Sequence, residues 1–215
     1  MKNLIYKELK LVILPATYFM LLIAALIAIP NYPYIVGFGY CLLSLFISFS
    51  TAQANKDAEF TYSLPIPRKS IVLAKHVNFV LVQLMQIVVA IPFAVISTFV
   101  INKNGNPVGL DANFTLFAVA FLCFGVVNII VLPQYFKTGY KVGIPFLIAV
   151  IAYCLVYVAI ELLIQLTPLQ PVLDGAAVGY IGYRLIALFV GMAAYCALTA
   201  LSFKISVKNF EKVNL

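Results

Sequence analysis

Seven carboxylates and one histidine are all the acid–base equipment in 215 residues, and their spacing suits contact rather than catalysis. The densest group lies at Asn55-Lys-Asp-Ala-Glu-Phe-Thr-Tyr-Ser-Leu-Pro-Ile-Pro-Arg-Lys-Ser70. Asp57 and Glu59 come early, where a helix N-terminus favours negative charge. Phe60 and Leu64 fall four apart, on one helical face. Pro65 and Pro67 then stop the helix. Arg68 and Lys69 follow, and Ser70 is spaced to cap whatever comes next. The segment reads as a short surface helix with an aromatic knob, or as a solvated connector.

Other polar residues are embedded in apolar sequence. Ser44, Ser48 and Thr51 recur at i, i+4 and i+7, with Gln53 beyond. Asn78, Gln83 and Gln86 share a second run, which Pro92 is expected to kink, and Asn128 sits in a third. Such residues either bond helices together or line a cavity or a helix seam. Glu161 stands alone with Gln165 four residues on. A carboxylate at that depth needs a partner, and Arg184 is the candidate, as a Glu161–Arg184 pair closing an outer gate. The alternative is that Arg184 snorkels to lipid headgroups.

The absences are informative. No GxxxxGK[ST], HExxH, GxSxG or CxxC motif occurs. The sequence therefore offers no catalytic set, no metal ligands, and no phosphate loop with which this chain would bind a nucleotide. Cys41, Cys123, Cys154 and Cys196 each lie in apolar runs and read as small buried hydrophobes.

The elements that position these groups follow from composition. The chain is 64% hydrophobic and only 10% charged, too little charge to clothe a soluble domain. Six continuous apolar stretches reach the ~20 residues that cross a bilayer as helix. They are residues 11–29, 34–53, 77–101, 113–133, 143–166 and 183–203. The expected fold is all-α, a single transmembrane domain over 1–215.

Charge orients the spans. Twelve of the 14 basic residues fall at the N-terminus, at 54–76, at 134–142 or after 203, and only Lys103 and Arg184 fall on the other side. Positive charge stays inside, so both termini are expected in the cytoplasm. The net charge of +7 then reads as topology and headgroup contact, not as a nucleic-acid footprint. Lys204, Lys208 and Lys212 are four apart and form one basic face, suited to anionic lipid.

Two further segments are not simple spans. Residues 1–11 put Met1, Leu4, Ile5 and Leu9 on one face, with Lys2 and Lys7 away from it. That predicts an amphipathic helix along the inner surface, or a frayed start of the first span. Residues 167–182 carry two prolines and three glycines in a moderately apolar stretch, predicting a shallow re-entrant helix-turn. Gly175 and Gly179 there are spaced for close helix packing.

The Tyr6-Lys-Glu-Leu-Lys-Leu11 start, the six spans, and Asp57-Ala-Glu59 followed by Ser63-Leu-Pro-Ile-Pro-Arg-Lys-Ser-Ile-Val-Leu-Ala-Lys75 together resemble ABC-2-type exporter permeases. The resemblance is closest to the bacterial subfamily that includes exporters of phenol-soluble modulins and antimicrobial peptides. It implies an elbow helix at 1–11 and a coupling helix near 55–63 that docks on a separate cytoplasmic ABC ATPase, with Asp57, Glu59, Phe60, Leu64 and Arg68 as contact residues. It also implies short outer helices at 167–182, ATP and Mg held by the ATPase, and a second permease, of the same or a different chain, in the bacterial plasma membrane. The cavity or permease seam would then involve spans two and five, with Ser44, Ser48, Thr51, Gln83, Gln86 and Asn128 as candidates. The apolar spans favour an amphipathic cargo such as a membrane-active peptide. An ion-coupled secondary transporter, or a membrane sensor or scaffold, are the readings from other classes. The first would show inverted repeats and several buried ionisable groups, and the sequence has neither.

Overall fold

The computed structural model describes residues 2–12, 15–102, 105–175 and 178–213. These are helical, with no strand among them. Helix α1 (Lys2–Lys7) runs into a π-turn (Glu8–Val12), and α2 (Pro15–Leu22) tightens into a 3-10 stretch (Ile23–Ala28). Then come α3 (Ile35–Ala54), the short α4 (Asp57–Ser63), and α5 (Arg68–Ile96), which continues as a π-turn (Ser97–Ile101). Helices α6 (Phe114–Lys137) and α7 (Gly143–Gln165) are followed by the one-turn α8 (Gln170–Leu173), a 3-10 turn (Val178–Tyr180) and α9 (Ile181–Glu211).

Five of these helices, α3, α5 with its π-turn, α6, α7 and α9, are long and apolar enough to cross a membrane. A sixth span results if Leu4–Lys10 and Pro15–Ala28 are taken as one bent unit. The bundle has two ends. The basic end holds the start of α1, α4, the start of α5 and the C-terminus of α9. The far end holds the 105–113 loop, α8 and the start of α9.

Helix α6 is apolar on all sides and buried on most of them, so it forms the centre of the bundle. Phe124, Val127, Val131 and Phe136 are fully enclosed. By contrast, α7 and α9 turn large apolar side chains outward, including Leu147, Leu155, Phe189 and Val190. A helix with so exposed an apolar face needs hydrocarbon around it.

Helices α6 and α9 touch backbone to backbone. A Cβ on Gly191 would lie 2.5 Å from the carbonyl oxygen of Ala118, and one on Gly125 would lie 3.2 Å from Cα of Tyr195. These glycines, not Gly175 and Gly179, make the close helix contact. Gly179 has nothing within 4 Å, and Gly175 faces only Pro171 of its own turn. Because the obstacle at Gly191 is main chain, even Gly191→Ala must push two helices apart. It is expected to destabilise the protein by about 1–3 kcal/mol, measured by thermal unfolding in detergent.

Several sequence expectations need correction. Cys41 and Cys123 are buried, but Cys154 and Cys196 face outward from the bundle. Ser70 caps nothing: α5 begins at Arg68 after Pro67, with no side-chain cap. Pro92, the expected kink, lies inside α5, which stays helical to Ile96 before the π-turn from Ser97. Lys7 does not point away from the apolar face but inward, with its side chain 16% exposed. Lys204, Lys208 and Lys212 are all exposed, as their spacing predicts.

Candidate functional site: a short helix on a buried charge ring

At the basic end, α3 stops at Ala54 and the chain reverses through Lys56, which adopts a left-handed conformation (φ 53°). This turn lays α4 against the base of the bundle with two distinct faces. Phe60 is 61% exposed and, with the exposed Glu59, forms the outer face. Lys56 and Glu59 pair at 3.8 Å in full solvent, a contact worth little. Asp57 and Thr61 form the inner face.

Asp57 enters a closed ring of four charges. Lys7 Nζ lies 2.5 Å from Asp57 Oδ1 and 3.6 Å from Glu8 Oε1. Lys75 Nζ lies 3.0 Å from Asp57 Oδ2 and 2.8 Å from Glu8 Oε2. Each carboxylate therefore bridges both ammoniums, and the ring is neutral overall. Thr61 Oγ1 accepts a further bond from Lys7 at 2.5 Å and donates to the carbonyl of Asp57 at 2.7 Å. Lys75 and Glu8 are almost wholly buried, with side chains 2% and 1% exposed. Burial would raise the Asp57 carboxyl, but Lys75 and Lys7 outweigh it and hold it below the ordinary carboxylate range. The ring joins three pieces of chain distant in sequence: α1 with its π-turn, α4, and the third span.

Arg68 makes a second tie. Its guanidinium donates to the carbonyls of Phe210 at 3.0 Å and Glu211 at 2.8 Å, and to the Tyr62 hydroxyl at 2.6 Å. It lies over the rings of Tyr62 and Phe210 at 5.2 and 5.7 Å. A cation at the last carbonyls of α9 complements that helix's dipole. The same side chain thereby fastens α4 to the C-terminal helix.

The five residues grouped as one contact surface thus divide. Glu59 and Phe60 face out, Asp57 and Arg68 face in, and Leu64 is half-buried. Leu64 has left the helix (φ −76°, ψ 146°), so it does not extend the face of Phe60 as four-residue spacing in a helix would require.

Most of the embedded polar residues bond helices together, but Gln53 is exposed and the buried Asn78 amide has no partner among the described residues. Gln83 donates to Asn128 at 2.7 Å, Asn128 to Thr199 at 2.8 Å, and Tyr195 to Gln83 at 2.8 Å, linking α5, α6 and α9. Ser202 donates to the Asn128 carbonyl at 2.6 Å and neighbours His76 Nε2 at 3.3 Å. Gln86 donates to the Gly37 carbonyl, Ser44 to that of Cys41, and Ser48 pairs with Thr17. Thr51 is half-buried. None of these lines the apolar groove of about 910 Å³ between α3 and α7. Tyr40, Leu43 and Phe46 form one wall and Leu147, Val150 and Cys154 the other. Spans two and five do border a cleft, but through their apolar faces.

At the far end, Glu161 and Arg184 do not meet, and among the described residues no ion pair includes either. Glu161 Oε1 would be 2.9 Å from a Cβ on Gly109, so it points at the 105–113 loop. Arg184 Nε donates to the Val172 carbonyl at 3.0 Å. What fastens the far end is Asp174, which accepts from the backbone N–H of Asp111 and from Gln165 Nε2, both at 2.6 Å. Asn113 and Thr115 both donate to the Leu173 carbonyl.

Burial pushes the Asp174 carboxyl up to about 6; the Asp111 N–H pulls it back, and the charge of Asp111 raises it again. With a folded value above the ordinary 3.8, its stabilising contribution is complete at low pH and is lost as pH rises through about 6. Asp174→Asn keeps the shape and the acceptor for the Asp111 N–H, and its NH2 can donate to Gln165 Oε1 if that amide turns. It is expected to raise Tm at pH 7.5 by about 2–4 °C, with no difference at pH 4, as read by thermal scans at both values.

No group of three or more His, Cys, Asp or Glu is placed to hold a metal ion among the described residues. The model of a family described as "ABC-2 family transporter protein" matches residues 3–211. The chain belongs to the ABC-2 family. No curated protein and no solved structure matches it. As an ABC-2 permease it is a multi-pass membrane subunit of a transporter, of a kind that normally works with a cytoplasmic ABC ATPase.

Three residues of the ring, Lys7, Glu8 and Lys75, escaped the sequence reading as a unit. Lys75 gave a signal: a lysine eight residues inside a helix that becomes a span has to find a counter-charge. Glu8, between two lysines in an apolar segment, gave the complementary one.

Proposed function

We propose that this chain is the permease of an ATP-driven bacterial exporter, and that α4 is the element through which a separate ATPase moves it. The observation that carries this reading is the two-faced α4. Phe60 stands free at the surface while the opposite face is held by charge to α1 and the third span. A helix that only connected two spans would need neither.

On this reading the basic end is cytoplasmic, by the charge asymmetry of the loops, in the plasma membrane. Helix α1 is the elbow, and the far-end segment around α8 is the outer re-entrant piece. Phe60 fills a cleft of the ATPase and Glu59 meets its rim, as buried aromatics dominate docking energy. ATP and Mg stay on that partner. Asp57 and Arg68 transmit rather than touch. A second permease copy or a related chain covers the apolar groove between α3 and α7. The cargo is amphipathic, a membrane-active peptide, because the apolar spans carry few charges to solvate the path of an ion or a sugar.

The test is cross-linking of Phe60→Cys, in a background with Cys154 and Cys196 changed to Ser, to a cognate ABC ATPase. A cross-link that responds to ATP, with cargo-stimulated hydrolysis in the purified pair, supports the reading. Labelling of that cysteine from outside the cell, or an ATPase that co-purifies without touching it, overturns it.

A further inference from the structure

A pocket of about 370 Å³ lies at the far end, bounded by the π-turn closing α5, the 105–113 loop and the first turn of α9. Tyr34, Ser97, Asn102, Asp111 and Arg184 supply its polar wall, and Phe99 its apolar rim. Most of the polar groups are already spoken for. Ser97 and Asn102 both donate to the Tyr34 hydroxyl. Two are not. Arg184 is 6% exposed, and its buried Nη2 has no acceptor among the described residues. Asp111 accepts the Asn106 N–H through Oδ1, while Oδ2 has no donor there.

A buried guanidinium N–H without an acceptor is costly, so the site is built for an anion. Asp111 on the same wall argues against a simple anion, because it would repel one. A second pocket, sharing Asp111, Gly105 and Gly175, extends this acidic side to Asp174. The cavity is therefore lined by both a cation and a carboxylate, each with a polar atom that has no partner among the described residues. Phe99 at the rim is 71% exposed, and the adjacent Val100 is 67% exposed, both on the outward apolar surface of the bundle. A ligand seated here has a route for hydrocarbon to leave sideways.

We propose that this pocket holds the headgroup of a zwitterionic phospholipid of the ethanolamine type, with phosphate on Arg184, ammonium on Asp111, and acyl chains over Phe99. A phosphate accepts a planar guanidinium fork well. A primary ammonium donates to a carboxylate, whereas a methylated choline cannot. The inference needs only a multi-pass membrane chain and stands independently of how α4 is driven.

Native mass spectrometry of the purified full chain, delipidated and exposed to single phospholipids, tests it. The chain is expected to retain phosphatidylethanolamine about tenfold better than phosphatidylcholine or phosphatidylglycerol. Asp111→Asn should abolish the preference for ethanolamine over choline while phosphate-dependent retention persists. Arg184→Gln should lower retention of all three lipids by about tenfold. Soluble phosphoethanolamine should compete, showing that the headgroup is what is read. Equal retention of the three lipids by the unaltered chain, or an ethanolamine preference that survives Asp111→Asn, would mean ordinary annular lipid and overturn the assignment. Should Arg184→Gln fail to fold, Asp111→Asn alone decides, since that side chain is only half-buried and its shape is kept.

Discussion

Phe60→Asp is expected to abolish export while the chain still inserts and folds. The side chain is 61% exposed and packs on nothing that the bundle needs, so its loss from the chain alone is nearly neutral. Its value would lie in the partner. A central aromatic at a docking surface is worth about 2–4 kcal/mol, or roughly 30- to 1,000-fold in affinity. A carboxylate in its place adds a buried, unpaired charge to the contact. Reconstituted with the ATPase, the variant should hydrolyse ATP without moving cargo, and pull-down should weaken by at least tenfold. Phe60→Tyr, which keeps the ring, should retain most activity. Full transport by the Asp variant would remove α4 as the point of drive.

Lys75→Met is expected to be the most damaging single change at the basic end. It leaves Asp57 and Glu8 facing each other, with Glu8 1% exposed and Lys7 the only remaining counter-charge among the described residues. Breaking one partner from a buried charge group costs about 3–5 kcal/mol, whereas removing a matched pair costs far less. The double variant Lys75→Met, Glu8→Gln should therefore recover much of the lost stability. The recovery separates a charge-balance effect from loss of packing by the lysine stem. Acid acts on the same ring. The Asp57 carboxyl sits below its ordinary 3.8, so its contribution is complete above that value and is lost as pH falls through the lowered one. Thermal scans of the unaltered chain and of Asp57→Asn should converge as pH falls progressively below 3.8. Scans that stay parallel would place the stabilising interaction elsewhere.

The helical spans were legible because continuous apolar runs have few alternatives in a bilayer, and α3, α6, α7 and α9 lie close to the stretches the sequence marked. The first was less so. Pro15–Ala28 is helical, yet its second half tightens into a 3-10 form that no composition signal announced. The position of α4 was also readable, since the pair of prolines after Leu64 bounds it. Its facing was not. Asp57 and Glu59 look alike in sequence, but only a fold that brings α1 and α5 beneath α4 gives Asp57 two lysines and leaves Glu59 in solvent. Arg184 and Glu161 failed as a pair for the converse reason. Both lie at the same depth, yet depth says nothing of azimuth around the bundle. The backbone of α8 and the 105–113 loop intervene as partners. Ser44, Ser48 and the amides of α5 and α6 lie inside while Gln53 is exposed, and bonding describes the neighbours of most of them, Asn78 excepted, better than a cavity does.

The bare contact of Gly191 with the Ala118 carbonyl also limits how this molecule can work. The two helices also meet through side chains, as where Asn128 bonds Thr199, but at Gly191 no side chain cushions the contact. A main chain resting on a main chain has little compliance, so α6 and α9 behave as one stiff strut. Any movement of the bundle that leaves this contact intact has to be taken up by the other helices.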